Sequence, residues 1–219
     1  MDQTTEPPTC PQHHDFARQH HLPGYLTARR APLTWLVPHD GDVCCGVDGL
    51  YSADRRLLSL WRISVDGKTL SPVVAQLFSA DGMRVVSYVS PADGRSPDPQ
   101  VTLTRIRVVR ASGAGEQIEV VNRGSAPFIT TLYLSAASDL AAPANIQAGA
   151  PGQPRPWNIE NRTAIASDDD GTAVTLRLPS DAQVARPRPC LLQFCWEVQI
   201  PPGESWRTLI VIKAIIPTP

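Results

Sequence analysis

Histidine and cysteine are the residues of this 219-residue sequence whose side chains are best suited to metal binding and nucleophilic catalysis. Four of the five histidines lie in the first 31 residues, beside a cysteine and an aspartate. This group has the side chains to bind a transition metal: Cys10, His13, His14, Asp15, His20 and His21. The segment shows no periodic pattern, which favours a solvated arm instead. Only His39 remains beyond it, so a serine or cysteine nucleophile would have no other histidine to activate it.

Established catalytic motifs are absent from the sequence. It contains no G-x-S-x-G, H-E-x-x-H, Walker or G-x-G-x-x-G motif. Asp168–Asp170 with Gly171 resembles the start of a calcium loop, but no glutamate follows at the twelfth position, so we expect a solvated turn. The five cysteines are an odd number without a zinc spacing, which indicates small buried side chains. We expect no catalytic residue, no metal and no cofactor in this chain.

A charged loop offers the best candidate for a binding site. Asp54, Arg55 and Arg56 precede a predicted strand whose inward face carries Trp61. Such a group can form ion pairs and hydrogen bonds with a ligand or a neighbouring domain; the alternative is an internal Asp–Arg pair that holds the loop. Tyr51, near this loop, and Trp157, in a proline-rich segment, are the aromatic residues least committed to a strand face. The remaining tryptophans occupy strand positions and are expected in the core: Trp35, Trp61, Trp196 and Trp206.

These candidate residues must be positioned by β-strands. Apolar and polar residues alternate in segments such as Trp61–Val65 and Leu192–Ile200, and short turns such as Asp66-Gly67 join neighbouring segments. The pattern predicts an all-β fold, a large and mainly antiparallel β-sandwich of about eleven strands with little helix. We expect one domain over residues 32–219, after a flexible tail over residues 1–31.

The last predicted strand is unusually apolar. Trp206–Ile216 has apolar residues on both faces apart from Lys213. A strand of this kind is typical of a position covered on both sides. We expect it to lie centrally in the sandwich or to present one face to a partner, for example in a homodimer.

Composition and charge exclude two classes of partner. The formal net charge is −1, and acidic and basic residues are interspersed, which argues against nucleic-acid binding because that function needs a basic surface. No run of about 18 apolar residues occurs, so a membrane span is not expected. The N-terminus lacks a basic segment followed by an apolar one, and we expect a cytoplasmic protein.

Three stretches together resemble a known family. Gly49–Gly67 fits the form G-L-[YF]-x-x-D-x-R-x-L-S-x-[WY]-x-[LIV]-x-[LIV]-x-G. Leu33–Val43 is similar to an entry strand and turn, and Ile106–Ala141 to a later hairpin in which R-x-R-x-V leads to E-x-[IL]-x-[VL]-x-N-x-G and a final A-x-D. The resemblance is to the N-terminal β domain of bacterial glycogen debranching enzymes of the amylo-α-1,6-glucosidase type. The usual D-T-R triplet is Asp54-Arg55-Arg56 here, and residues 142–156 match poorly.

The resemblance, which extends over residues 33–216, implies a supersandwich-like domain that precedes an (α/α)6 barrel. In that family the barrel is where α-1,6-linked glucan branches are cleaved, and we expect it to be absent from this chain. The implied role is to support the barrel and orient α-glucan, with Asp54, Arg55, Arg56, Tyr51 and Trp157 as candidate contacts to substrate or barrel. Two alternatives stay open: an autonomous glucan-binding module, and a protein-interaction sandwich without sugar binding.

Overall fold

The computed structural model describes residues 24–44, 46–52, 54–89, 100–150 and 152–217. In chain order, its strands and helix are β1 (Tyr25–Arg30), β2 (Leu33–Pro38), β3 (Gly49–Ser52), β4 (Arg55–Leu58), β5 (Leu60–Val65), β6 (Lys68–Thr69), β7 (Pro72–Ser79), β8 (Gly82–Tyr88), β9 (Val101–Arg110), β10 (Gly113–Asn122), β11 (Phe128–Ala137), α1 (Pro143–Gln147), β12 (Asn158–Glu160), β13 (Thr163–Ser167), β14 (Ala173–Arg177), β15 (Gln183–Arg188), β16 (Leu191–Ile200) and β17 (Ser205–Ile215).

The strands form three antiparallel sheets. The largest has eight strands in the order β12-β13-β14-β17-β10-β9-β8-β7, the second has five in the order β15-β16-β11-β5-β6, and the third has four in the order β1-β2-β3-β4. One buried apolar cluster includes residues from all three sheets. The predicted antiparallel all-β sandwich is therefore confirmed.

Period-two alternation explains how the core is built. On β16, Leu192, Phe194 and Trp196 are buried while the intervening residues are more exposed. On β5, Trp61 and Ile63 are buried in the same way. Side chains of a strand point alternately to the two faces, so each of these strands gives its apolar face to the space between the sheets.

The strand count exceeds the expected eleven because several strands are too short to show alternation. β6 has two residues and β12 has three.

β1 lies within residues 1–31, where the sequence predicts a tail; this boundary is wrong, because Leu26 and Ala28 are buried and β1 pairs with β2 along its whole length. The cysteine, histidines and aspartate that were considered as metal ligands lie outside the described residues.

β17 occupies the interior of the eight-stranded sheet, between β14 and β10. Ile210 and Ile212 are buried towards the sandwich, whereas Leu209 on the opposite face is 57% exposed. β17 thus lies centrally in its sheet, as expected, but described residues cover it on one face only, because its outer face is accessible.

Gly49 provides a test of how tightly β3 and β4 pack. A Cβ atom at this position would lie 2.8 Å from the carbonyl oxygen of Leu58 and 2.8 Å from Cδ of Arg56. We expect Gly49→Ala to lower the free energy of unfolding by about 1–3 kcal/mol, the usual cost of overpacking, as measured by urea denaturation. Gly115→Ala in β10 is the matched control, because its Cβ would come no closer than 3.5 Å to a neighbour. An equal loss in both variants would contradict this explanation.

Candidate functional site

Arg56 occupies a buried position in β4, at the centre of the loop that the sequence singles out. Its Nε atom donates to Asp139 Oδ1 at 3.1 Å, and its Nη2 atom donates to Asp139 Oδ2. Nη1 donates to the carbonyl oxygen of Gly46 at 2.7 Å. Both side chains of the pair are less than 5% exposed. A bidentate pair of this kind is strong and geometrically demanding, so it fixes β4 to the segment that follows β11.

Arg55 points to different partners, at the rim of the same end of the sandwich. Its Nη2 atom lies 2.5 Å from Asp170 Oδ2, and its Nη1 atom donates to the carbonyl oxygen of Leu140 at 3.3 Å. Asp168 is shared, with Oδ2 at 3.8 Å from Arg55 Nη1 and Oδ1 at 2.8 Å from Arg155 Nη2. We call these three arginines and three aspartates the loop cluster: Arg55, Arg56, Arg155, Asp139, Asp168 and Asp170.

Backbone contacts reinforce the loop cluster around Leu140. The amide of Arg56 donates to the carbonyl of Ala141 at 2.8 Å, and the amide of Arg155 donates to that of Ser138 at 2.7 Å. Leu140 is buried and has φ +48°, a left-handed conformation that is costly for a leucine. The surrounding ion pairs and hydrogen bonds hold the segment in this conformation.

The predicted site residues have mixed outcomes. Asp54 is exposed, and no ion pair between described residues includes it. An internal Asp–Arg pair does hold the loop, but it joins Arg56 to Asp139 and does not involve Asp54. The aspartate partners of Arg56 and Arg55 come from 83 and 115 residues further along the chain. The turn at Asp168–Gly171, expected to be solvated, instead supplies two of these aspartates.

The two predicted aromatic contacts are less available than expected. Trp157 is 1% exposed, so its interpretation as an exposed ring is wrong. The amide of Trp157 donates to the carbonyl of Pro189 at 2.8 Å, and the carbonyl of Trp157 accepts from Arg186 Nη1 at 2.8 Å. These two hydrogen bonds hold the proline-rich segment against β15. Tyr51 is half-buried, and its hydroxyl donates to the carbonyl of Val47 at 2.6 Å; burial raises the pKa of this phenol.

The tryptophans expected in the core are buried with one exception. Trp35, Trp61 and Trp196 are at most 2% exposed, whereas Trp206 is half-buried and packs edge-on against Trp196. The cysteines that the structure describes are half-buried, rather than fully buried: Cys44, Cys190 and Cys195.

A second group of charges, which the sequence analysis missed, lies between the sheets. Glu116 of β10 is fully buried and accepts from Arg107 Nε at 3.1 Å and from Arg105 Nε. Trp61 Nε1 of the facing sheet donates to the same carboxylate, and Arg105 Nη1 donates to Asp42 Oδ1. We call this group the interior network: Asp42, Trp61, Arg105, Arg107 and Glu116. The guanidinium of Arg107 also lies 4.7 Å from the ring centre of Trp35, a cation–π contact.

The electrostatics of the interior network follow from burial and pairing. Burial by itself would raise the pKa of Glu116, but the attraction of Arg105 and Arg107 outweighs it and lowers the pKa to about 2. Burial, followed by repulsion from Arg105, lowers the pKa of Arg107 to about 10. Burial raises the pKa of Asp42 despite its contact with Arg105. All of these groups are less than 9% exposed, so they bind one another rather than a solute.

The family motifs meet in these two groups. The entry stretch supplies Asp42, the second stretch supplies Trp61, and the R-x-R-x-V pattern supplies Arg105 and Arg107. The sequence did contain a sign that these arginines are buried. On β9 they alternate in step with the buried Leu103 and Val109, so they point to the same inner face. The final A-x-D supplies Asp139 of the loop cluster.

The described residues contain neither a group of metal ligands nor a membrane-spanning helix. In the part of the chain with described structure, histidine, cysteine, aspartate and glutamate side chains do not come together in threes as metal ligands would. No helix among the described residues is long and apolar enough to cross a membrane.

Comparison with solved structures defines the class of fold. A galactose mutarotase-related enzyme from Lactobacillus acidophilus has a TM-score of 0.57 at 8% identity, over 88% of this chain and 97% of that chain. Galactose mutarotase-like proteins from Lactobacillus casei and Clostridium acetobutylicum each score 0.55 at 9% identity, covering 88% and 86% of this chain and 100% and 94% of theirs. The chain is therefore an all-β protein with a galactose mutarotase-like sandwich fold.

Comparison of sequences identifies the family to which the chain belongs, in addition to its fold. No curated protein sequence is significantly similar to this chain. The sequence profile of the N-terminal domain of some glycogen debranching enzymes matches residues 29–211. The chain belongs to this family, as the three motifs indicated.

The buried Arg56–Asp139 pair leads to a prediction about stability. Removal of one partner leaves an unpaired buried charge, so we expect Arg56→Ala or Asp139→Asn to lower the free energy of unfolding by about 3–5 kcal/mol. Arg56→Lys should also be destabilising, since an ammonium cannot replace the bidentate contact. Arg55→Ala is the matched control and should cost much less, because its ion pairs lie at the rim. Urea denaturation measures all four, and equal losses at the two arginines would contradict the assignment.

Glu116 leads to a prediction about acid stability. Its pKa is about 2 in the folded state, against an ordinary value of 4.5. The stabilisation from this depressed pKa is complete above about pH 4.5 and is lost as the pH falls towards about 2. Asp42 has a raised pKa and therefore affects stability in the opposite way: its contribution to the free energy of unfolding declines as the pH rises.

We expect Glu116→Gln to be less stable at neutral pH and to show a shallower decline of the urea midpoint between about pH 5 and 2. The matched control is Glu119→Gln on the outer face of the same strand, which should retain the decline of the unsubstituted protein. A variant at position 116 with an unchanged decline would show that other carboxylates govern acid unfolding.

Proposed function

We propose that this chain is a non-catalytic accessory domain that supports a glycoside hydrolase domain and helps to orient α-1,6-branched glucan for it. Membership of the N-terminal domain family of glycogen debranching enzymes supports this proposal. The motif arginines and carboxylates support it too, because most of them are engaged in internal ion pairs. Groups held in this way suit a rigid frame rather than proton transfer to a substrate.

The loop cluster carries the proposal. It ties together three separate segments at one end of the sandwich, near residues 55, 139 and 168. Asp54 lies exposed at its rim, and Asp170 remains 44% exposed while it contacts Arg55. The buried Arg56–Asp139 pair holds this rim in place, and the charged side chains at its surface are exposed. Such a rim can contact a neighbouring domain or sugar hydroxyl groups with little loss of conformational entropy.

An autonomous glucan-binding module is less well supported. That function relies on exposed aromatic rings against which sugar rings can pack. Trp157 is buried, and the Tyr51 hydroxyl is already engaged with the Val47 carbonyl. The two rings that the sequence offered therefore do not form an open stacking platform.

The test uses the complete natural reading frame that contains this domain. Release of glucose from a branched α-glucan limit dextrin is compared for the unsubstituted protein and the double variant Asp54→Ala/Arg55→Ala. We expect kcat/KM to fall about tenfold, which corresponds to about 1.4 kcal/mol of lost transition-state stabilisation, while the thermal midpoint falls no further than it does in Arg55→Ala alone. The control is Arg207→Ala, which breaks the surface pair of Arg207 with Glu119 on the outer face of the large sheet.

Two results would contradict the proposed function. The first is an unchanged kcat/KM with a lowered thermal midpoint, which would leave the rim residues with a purely structural role. The second is release of glucose by residues 1–219 alone, since an accessory domain has no hydrolytic activity of its own.

A further inference from the structure

A groove lies on the outer face of the eight-stranded sheet, which points away from the interior of the sandwich. Its volume is about 320 Å³, and three adjacent strands, β9, β10 and β17, form its floor. Gly115 deepens this floor, because it has no side chain and lies directly between Val108 and Val211. We call this surface the outer groove, and its floor consists of Ile106, Val108, Gly115, Leu209 and Val211.

Positive charge surrounds the outer groove. The five strands β8, β9, β10, β17 and β14 have a single outward-facing carboxylate, Glu119, and it is paired with Arg207. The same strands have five outward-facing cations: Arg84, Arg110, Arg177, Arg207 and Lys213. The chain as a whole has a formal net charge of −1, so this face is far more basic than the rest of the protein.

Four of these cations are available to a partner. Arg84, Arg110, Arg177 and Lys213 are exposed, and none of them forms an ion pair with another described residue. Arg110 and Lys213 line one end of the outer groove, and the other two flank its sides, opposite residues of the floor. An apolar floor with unpaired cations around it is complementary to an apolar surface bordered by carboxylates.

The sheet itself limits what kind of segment can bind there. β9, β10 and β17 are each paired with a neighbouring strand on both sides, so a segment on this face cannot join the sheet as a strand. Its backbone groups must pair with one another, as they do in an α-helix. Three strands span about 10 Å, close to the helix diameter of about 10–12 Å. The occupant that fits is therefore an amphipathic helix with acidic flanks.

A second copy of this chain fits the outer groove poorly. In a two-fold dimer each copy contributes the same surface, so two such faces would bring their unpaired cations together. Like charges that face each other across an interface cost several kcal/mol. The charge of this face thus disfavours the homodimer that the apolar strand β17 suggested.

The outer groove lies next to the loop cluster. Ile215 lies opposite Ala173 of β14, and the turn just before Ala173 supplies Asp168 and Asp170. Both aspartates are paired with arginines of the loop cluster. Lys213 lies two residues before Ile215 on the same strand. One neighbouring domain can therefore contact the loop cluster and the outer groove together.

We infer that the outer groove binds an acidic amphipathic helix of the neighbouring glycoside hydrolase domain. This inference rests on the proposed function, which supplies that domain, and adds a second contact surface to the one at Asp54 and Arg55. Apolar residues at positions i, i+3, i+4 and i+7 of the helix pack on the floor. Its glutamate or aspartate side chains pair with the surrounding cations.

The test uses the only two lysines of the sequence, Lys68 and Lys213. Both are exposed, and Lys68 lies in β6 of the five-stranded sheet. The two amines are acetylated with an N-hydroxysuccinimide ester and quantified by mass spectrometry, in the 219-residue chain and in the complete natural reading frame. In the complete protein Lys213 should react at least about tenfold more slowly, because a bound helix leaves its amine reactive only when the interface opens. Lys68 should react at the same rate in both, and equal reactivity of Lys213 in both proteins overturns the inference.

A second measurement uses the 219-residue chain alone, with a synthetic helix of about 18 residues as the probe. The peptide has leucine on one face and glutamate and alanine elsewhere, and a second peptide has lysine in place of glutamate. Isothermal titration calorimetry should detect binding of the glutamate peptide only. Arg110→Glu/Lys213→Glu should weaken it at least about tenfold, because the variant places like charges together.

Two further variants separate charge from shape. Gly115→Leu fills the floor without a change of charge and should also weaken binding; a Cβ atom there comes no closer than 3.5 Å to a neighbour. Lys68→Glu/Arg188→Glu is the matched control, since it makes the same charge change at exposed cations of the five-stranded sheet, and should leave binding unchanged. Circular dichroism verifies that each variant is folded. Equal binding of both peptides, or an equal loss in both double charge variants, overturns the inference.

The failure of this inference can be distinguished from that of the proposed function. A reduced kcat/KM in Asp54→Ala/Arg55→Ala, with Lys213 equally reactive in both proteins, would overturn only the helix in the outer groove. An unchanged kcat/KM with a protected Lys213 would support the helix and contradict only the role proposed for the loop cluster.

Discussion

The carboxylate of Glu116, held between two guanidinium groups and an indole N–H in the space between the sheets, constrains the whole fold. An ion in a protein interior is tolerated only when its partners are close and correctly oriented. Arg107 meets this condition because it lies directly opposite Glu116 in the β9–β10 ladder, and Trp61 meets it from the facing sheet. A shift of one residue in the register would turn these side chains towards the outer surface, so the network selects one alignment of the strands.

The loop cluster applies the same physical rule at the end of the sandwich, with a different consequence. Arg56 and Asp139 are as buried as the interior network, but Arg55 and Asp170 extend the ion pairs into solvent. The ion pairs of the loop cluster are therefore buried at one side and exposed to solvent at the other. This arrangement gives the loop a defined shape while it still presents polar groups to another molecule, which is the property that the proposed accessory role needs.

The sequence predicted features that depend on neighbouring residues, but it did not predict contacts between residues far apart in the chain. Local alternation was enough to predict β5, β16 and β17, and the ordered motifs were enough to indicate the family. The partner of Arg56 was not predictable, because Asp139 lies 83 residues away and only the packed sheets bring the two together. Trp157 was misassigned because proline-rich composition predicts an exposed loop, whereas a backbone hydrogen bond to Pro189 and another from Arg186 fold this segment onto β15. Arg105 and Arg107 occupy the inward phase of their strand, where charged residues are rarely expected.

The central position of β17 has a consequence for how the protein is made. Val211 lies opposite Gly115 on one side and Arg177 on the other, so the eight-stranded sheet consists of two parts that only this strand joins. During translation the earlier part, β7 to β10, is complete long before β17 leaves the ribosome. Until β17 is added, the edges of β10 and β14 that face it in the finished sheet are both unpaired, and unpaired edges of this kind are prone to wrong pairing during folding.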